Sequence, residues 1–358
     1  MHRTKFIRAA TTAIMVFGIL DPAMADGIPD TPTRLPEDIE ATDVATPSSP
    51  VLDAVARYAT YHSAVTAATS SDFASAIHID ETLSDLGGHN PDHLSEGWIA
   101  YAAMIAIQNS DFRAAIRDIK SFYGRDAVIR GLQNDIRYAG TLSGADAAIS
   151  ASVSAVTADR QRLVNAAGII KDQAYTLQTK GWAKRRIRNA TARANGLMTM
   201  TQTGQSATLE ANDLVIASDM EARLLQAGKY GAFSLWDTIN QPPDIMTATG
   251  PQLPNPAGLG EPEPAVRNLY SDRIATVAAF QFIGDETPDS TTISRAMRDQ
   301  KASSCMMMAN LNLQQCVAAS HRHYEVPFCI AEHAILDIGE CIGGPENYPA
   351  NLSNNPED

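Results

Sequence analysis

From residue 50 to residue 230 apolar side chains recur every three or four positions, and no stretch alternates apolar with polar at period two. The pattern predicts helices and no sheet, an all-α fold. Residues 51–67 and 71–86 read as two helices, the second closed by Gly87 and Gly88. Asn90-Pro91 supplies a capping side chain and a first-turn proline for a third, with Leu94, Trp98, Tyr101 and Ile105 on one face. Phe112, Ala115, Ile116, Ile119 and Phe122 make the face of a fourth, opened by Ser110 or Asp111. Ile129, Leu132, Ile136 and Ala139 make that of a fifth, ending near Gly140.

The most regular run is Ile149, Val153, Val156, Arg160, Leu163, Ala167, Ile170, Ala174 and Leu177. Its alternating steps of four and three define a heptad seam and predict one long helix of coiled-coil type. A neighbouring helix over 206–227 is the expected partner, making a helical bundle; self-association of two chains through the seam, with Arg160 as its polar register position, is the alternative.

Prolines divide the chain. A mobile leader over 26–50 carries five of them, and residues 241–264 carry seven, a density that breaks helices and suits an extended spacer. The expected organisation is therefore a signal peptide over 1–25, the leader, a helical domain over 51–240, the spacer, a smaller domain over 265–343, and a disordered tail over 344–358. The signal reading rests on Arg3, Lys5 and Arg8, an apolar run of about a dozen residues, and Ala23-Met24-Ala25. That run is too short to span a bilayer as a helix, which needs about 20 residues. No other stretch is long enough, so the expected destination is the periplasm or the extracellular space.

Four cysteines fall in the last fifth of the chain. An even number in an exported protein predicts disulfides. A helix over 303–320 carries Cys305 and Cys316, and a second helix starting near Pro327 carries Cys329 and Cys341. Two antiparallel rods joined by a short turn can be stapled in nested fashion, Cys316 to Cys329 and Cys305 to Cys341. The step of 11 residues in the first rod keeps both sulfurs on one face, because it advances three turns plus about 20°. The step of 12 in the second leaves Cys341 about 120° out of phase, so its last turn is expected to loosen. A third helix over 265–283 should cover the hairpin.

Charge and chemistry narrow the function. The formal net charge is -13, and removing the net +2 of residues 1–25 leaves -15, which disfavours nucleic acid as a partner. Against that background Lys180, Lys184, Arg185, Arg186, Arg188 and Arg193 form the candidate site for an anionic partner, an envelope polymer or lipid headgroup. On a continuous helix they would point to every side, and the competing reading is a solvated segment packed against acidic neighbours. His321, His323 and His333 beside the cysteines raise copper or zinc as an alternative, although the spacing matches no metal motif. His89 and His93 read as capping or solvated residues at a helix start. No serine elbow, zinc helix, phosphate loop, dinucleotide fingerprint or haem motif is present, no catalytic residue is singled out, and no cofactor is implied. The favoured function is an interaction or scaffold protein of the cell envelope with a protein or polymer partner, ahead of a metal-binding protein and of a hydrolase acting on envelope polymer.

Overall fold

In the computed structural model the described residues are 49–230, 234–239, 268–284 and 290–343. At their centre is α3 (Pro91–Ala106), whose residues are buried without a break from Leu94 to Ala106. The sequence suggests one apolar face; beyond Glu96 every residue of the helix is glycine or apolar, and such a helix can be covered on all sides. Asn90 caps it, accepting hydrogen bonds from the backbone N–H groups of Asp92 and His93. Around α3 pack α1 (Pro50–Ser70), α6 (Ala145–Leu177), α11 (Leu269–Ile283) and α13 (Gln300–Ala319). The α1–α3 crossing is close because of Gly97: a Cβ there would lie 2.9 Å from both the Ala54 carbonyl oxygen and Tyr58 Cβ.

The remaining helices complete the shell. These are α2 (Ala76–Gly87), α4 (Ser110–Tyr123), α5 (Arg125–Asn134), α7 (Ala190–Thr203), α8 (Leu209–Val215), α9 (Met220–Tyr230), α10 (Leu235–Thr238) and α12 (Ser290–Met297). Asn109, one residue ahead of the position read from the sequence, caps α4 by accepting from Asp111 and Phe112. Of the expected α4 face, Phe112 and Ile116 are buried whereas Phe122 is 81% exposed, because the helix runs past its support. The fifth helix stops at Asn134, and the chain reaches Gly140 through a 3-10 turn at Ala139–Thr141.

The heptad run lies in α6, whose 33 residues span about 50 Å at 1.5 Å per residue. Ile149, Val156, Leu163, Ala167, Ile170, Ala174 and Leu177 are buried within this one chain. A second flank, Ala148, Ser152, Ala155, Asp159, Arg162 and Ala166, is buried beside them, so the covered stripe is wider than a two-helix seam. The expected partner region contributes α9, which packs on α6, whereas α8 packs on α1. Arg160, the charged seam position, is only partly buried; the deeply buried charges are its neighbours Asp159 and Arg162.

Near the carboxyl end both disulfides are present, Cys305–Cys341 and Cys316–Cys329, with Cα separations of 5.7 and 5.6 Å. The second rod consists of α14 (Val326–Cys329), a π-helical stretch at Ile330–Leu336 and α15 (Asp337–Cys341). The phase correction therefore sits in mid-rod, and the terminal turn does not loosen. A π turn takes in one extra residue, and one residue is about 100° of helix, so a step of 12 containing it is equivalent to the 11-residue step of the facing rod. The Tyr61 hydroxyl of α1 donates to the Ala334 carbonyl of this stretch at 2.9 Å.

Among the described residues, helices on both sides of residues 241–264 share one hydrophobic core. α11 and the stapled rods, which follow 241–264, press directly on α3 and α6, which precede it. Gly339 of α15 lies against Leu163, where an added Cβ would sit 3.1 Å from Leu163 Cβ. The signal peptide, most of the leader, the spacer and the tail lie outside the described residues. No described helix is long and apolar enough to cross a membrane.

Candidate functional site

From Lys180 to Arg188 the cationic segment is not an α-helix, and Arg193 lies in the first turn of α7. α6 ends at Leu177 and α7 begins at Ala190, and residues 178–189 form a loop between them. That loop is docked on the turn of the disulfide-stapled hairpin. The Ile187 N–H donates to the His321 carbonyl at 2.9 Å, the Tyr324 N–H donates to the Ala183 carbonyl at 3.2 Å, and the Arg322 guanidinium donates to the Lys184 carbonyl. Arg186 and Arg322 form an isolated antiparallel bridge. Buried Ala183 and Ile187 anchor the loop from beneath, which turns the intervening charged side chains outward. Glu325 fixes the opposing turn by accepting from the backbone N–H groups of His321, at 2.5 Å, and Arg322, at 3.2 Å.

Docking brings four of the six sequence-predicted cations together. Arg185, Arg186, Arg188 and Arg193, with Asn189 and His323, line an open groove of about 940 Å³. Lys180 faces a different groove beside Trp182 and Asp172, and Lys184 is not among the lining residues. Arg193 is oriented by α2: its Nη2 is 2.8 Å from Asp80 Oδ1 and 2.9 Å from Oδ2, while its Nη1 is shielded from solvent and has no hydrogen-bond partner. His323 Nδ1 is shielded and unpartnered in the same way. Partial burial lowers the His323 pKa, and the nearby guanidinium groups of Arg193 and Arg185 lower it further against the opposing pull of Asp80. No carboxylate among the described residues pairs with Arg185, Arg186 or Arg188, so the segment is not neutralised by acidic neighbours there.

The three histidines named with the cysteines separate. His321 uses its carbonyl to hold the loop, His323 joins the arginines, and His333 Nδ1 pairs with Asp337 Oδ2 at 2.8 Å on the second rod. All four sulfurs are in disulfides, which removes thiolate from the copper or zinc reading. Among the described residues no three His, Cys, Asp or Glu side chains are grouped to hold a metal ion. Glu332 is engaged by Lys171 and Asp337 by His333, so these acids are occupied in structural pairs.

A second polar cluster, invisible in the sequence reading, is sealed in the core. Asp159 accepts from Ser234 Oγ at 2.5 Å, Trp236 Nε1 at 2.8 Å and Tyr58 Oη at 3.0 Å. Arg162 donates to Asp237 Oδ1 at 2.7 Å and Thr66 Oγ1 at 2.6 Å, and its Nη1 lies 2.9 Å from His62 Nδ1. Because a guanidinium can only donate, His62 carries its proton on Nε2, which lies 3.8 Å from Asp159 Oδ2. Burial raises the Asp159 pKa to about 7 against the lowering pull of its three donors. Burial and Arg162 hold His62 well below the usual histidine range. His89, expected at the surface, is buried and pushed down to about 4. With Asp159 and His62 fully enclosed, this network fastens α10 to α1 and α6 and offers no access to a substrate.

Comparison of the chain with protein-family models, with curated proteins and with solved structures returns no match.

Proposed function

We propose that this chain is an exported, disulfide-braced helical protein of the cell envelope that engages an anionic partner through the groove of Arg185, Arg186, Arg188, Arg193 and His323. One observation carries the reading: in a chain of net charge -13, four arginines converge on one concavity, and three of them lack an acidic partner among the described residues. Like charges held together cost free energy, and a partner that neutralises them recovers it. The extracytoplasmic setting is supported by the two disulfides, which persist in oxidising compartments, and by the signal-like composition of residues 1–25.

The test is calorimetric titration of the oxidised mature chain with tripolyphosphate, short enough to lie within the groove, at low and at physiological salt. Saturable binding that weakens with salt and disappears in the Arg185→Glu/Arg188→Glu variant is the expected result. An absence of binding at low salt sinks the proposal.

A further inference from the structure

The groove discriminates between kinds of anion. A carboxylate polymer presents single charges spaced along a chain, whereas a phosphoryl group gathers up to two charges and three acceptor oxygens at one point. Guanidinium forks suit that second geometry, since each offers paired donors to a tetrahedral oxyanion. Four forks line this groove. Arg193 is already oriented through Nη2 by Asp80, which leaves the solvent-shielded Nη1 without a partner, and His323 contributes a second shielded, unpartnered nitrogen. Arg188 and Asn189 lead directly into α7, whose first turn receives no side-chain cap from Asn189. Its N–H groups add partial positive charge to a wall the arginines already define.

The rest of the molecule sets the size of the ligand. A net charge of -13 disfavours a polyanion long enough to run beyond the groove and cross acidic surface, as a nucleic acid does. A compact group feels mainly charges within about 10 Å, the screening length at about 0.1 M salt. We infer that the groove takes a phosphoryl group, a phosphomonoester or pyrophosphate borne by a lipid headgroup or by a free phosphorylated molecule. This rests on the reading that the groove binds anions, and it adds the class of anion.

The experiment compares pyrophosphate with citrate by calorimetry on the oxidised chain at matched ionic strength. A parallel arm measures co-sedimentation with phosphatidylcholine vesicles, with and without phosphatidic acid. Pyrophosphate should bind at least about tenfold more tightly than citrate, and Arg188→Gln, at an exposed loop position, should weaken it about tenfold, the scale of one charge-assisted hydrogen bond, with the helical circular dichroism unchanged. Capture by phosphatidic acid vesicles as well as pyrophosphate supports the inference with a lipid as source; pyrophosphate binding without vesicle capture supports it with a free ligand. Equal affinity for citrate and pyrophosphate overturns the phosphoryl assignment and leaves anion binding intact. Failure of citrate, pyrophosphate and tripolyphosphate alike overturns both.

Discussion

Asp159, His62 and His89 are ionisable side chains buried in the core, and their shifted equilibria tie stability to pH. An Asp whose folded pKa rises to about 7 contributes stability that is complete below its unfolded value and is lost as pH climbs through 7. Histidines held below their unfolded value do the reverse, and their contribution is lost as pH falls below about 6.5. The two tendencies cross near pH 6.5, where the thermal midpoint should be highest. Asp159→Asn should remove the decline between about pH 6.5 and 7 and steepen the acid limb, because the native carboxyl opposes the histidines throughout the interval between its unfolded and folded values. Identical slopes between about pH 5 and 7 in the two proteins, measured by circular dichroism melts, would show that Asp159 does not titrate as described. Gly97 makes a simpler statement. Alanine there would collide with the Ala54 carbonyl, so Gly97→Ala should cost about 1–3 kcal/mol in urea unfolding, as overpacking does. None of this cluster was legible beforehand. The heptad run drew attention to Arg160, but a charge one step off a seam looks solvated until the second flank of α6 is known to be covered. Asn90, by contrast, was fully legible, because a cap depends only on residues next to it in sequence.

At the scale of elements, the stapled rods separate local from tertiary information. Nested pairing followed from spacing alone, since two antiparallel rods joined at one end allow the inner and outer cysteines to meet in that order. Spacing also exposed the phase mismatch of the 12-residue step; it could not say where the extra residue would be absorbed. The π stretch at Ile330–Leu336 absorbs it where Tyr61 reaches a backbone carbonyl and α6 lies alongside, contacts set by distant sequence. Deleting His333, on the partly exposed side of that stretch, should restore α geometry and leave Cys305–Cys341 formed. An alanine inserted there should rotate Cys341 by about 100° and abolish the bridge. Non-reducing peptide mapping of both variants decides the matter, and loss of the bridge on deletion would contradict the register argument. The shape of the cationic segment is beyond local information for a related reason. Lysine and arginine have good helix propensity, but Gly181 and the hydrogen bonds offered by His321 and Tyr324 favour a docked loop, and only the loop makes the charges converge.

For the whole molecule, the hydrophobic core joins residues from α1 through Ile342, although prolines mark off 241–264. Proline density reports where a chain cannot be helical; it carries no information on whether the flanking helices pack together. Cleaving the spacer in the folded protein should therefore leave the two pieces associated in gel filtration, and intact protein should unfold in one transition. Elution as two separate species would contradict a shared core. The function proposed depends on this joining, because the arginine loop belongs to the first piece and the turn that shapes it to the second. Amide hydrogen exchange at Ile187 and Tyr324 tests that dependence most directly. Both amides should exchange slowly in the oxidised chain and much faster once Cys316–Cys329 is reduced; rapid exchange at both in the oxidised chain would mean that the loop is not docked and that the groove does not exist as described.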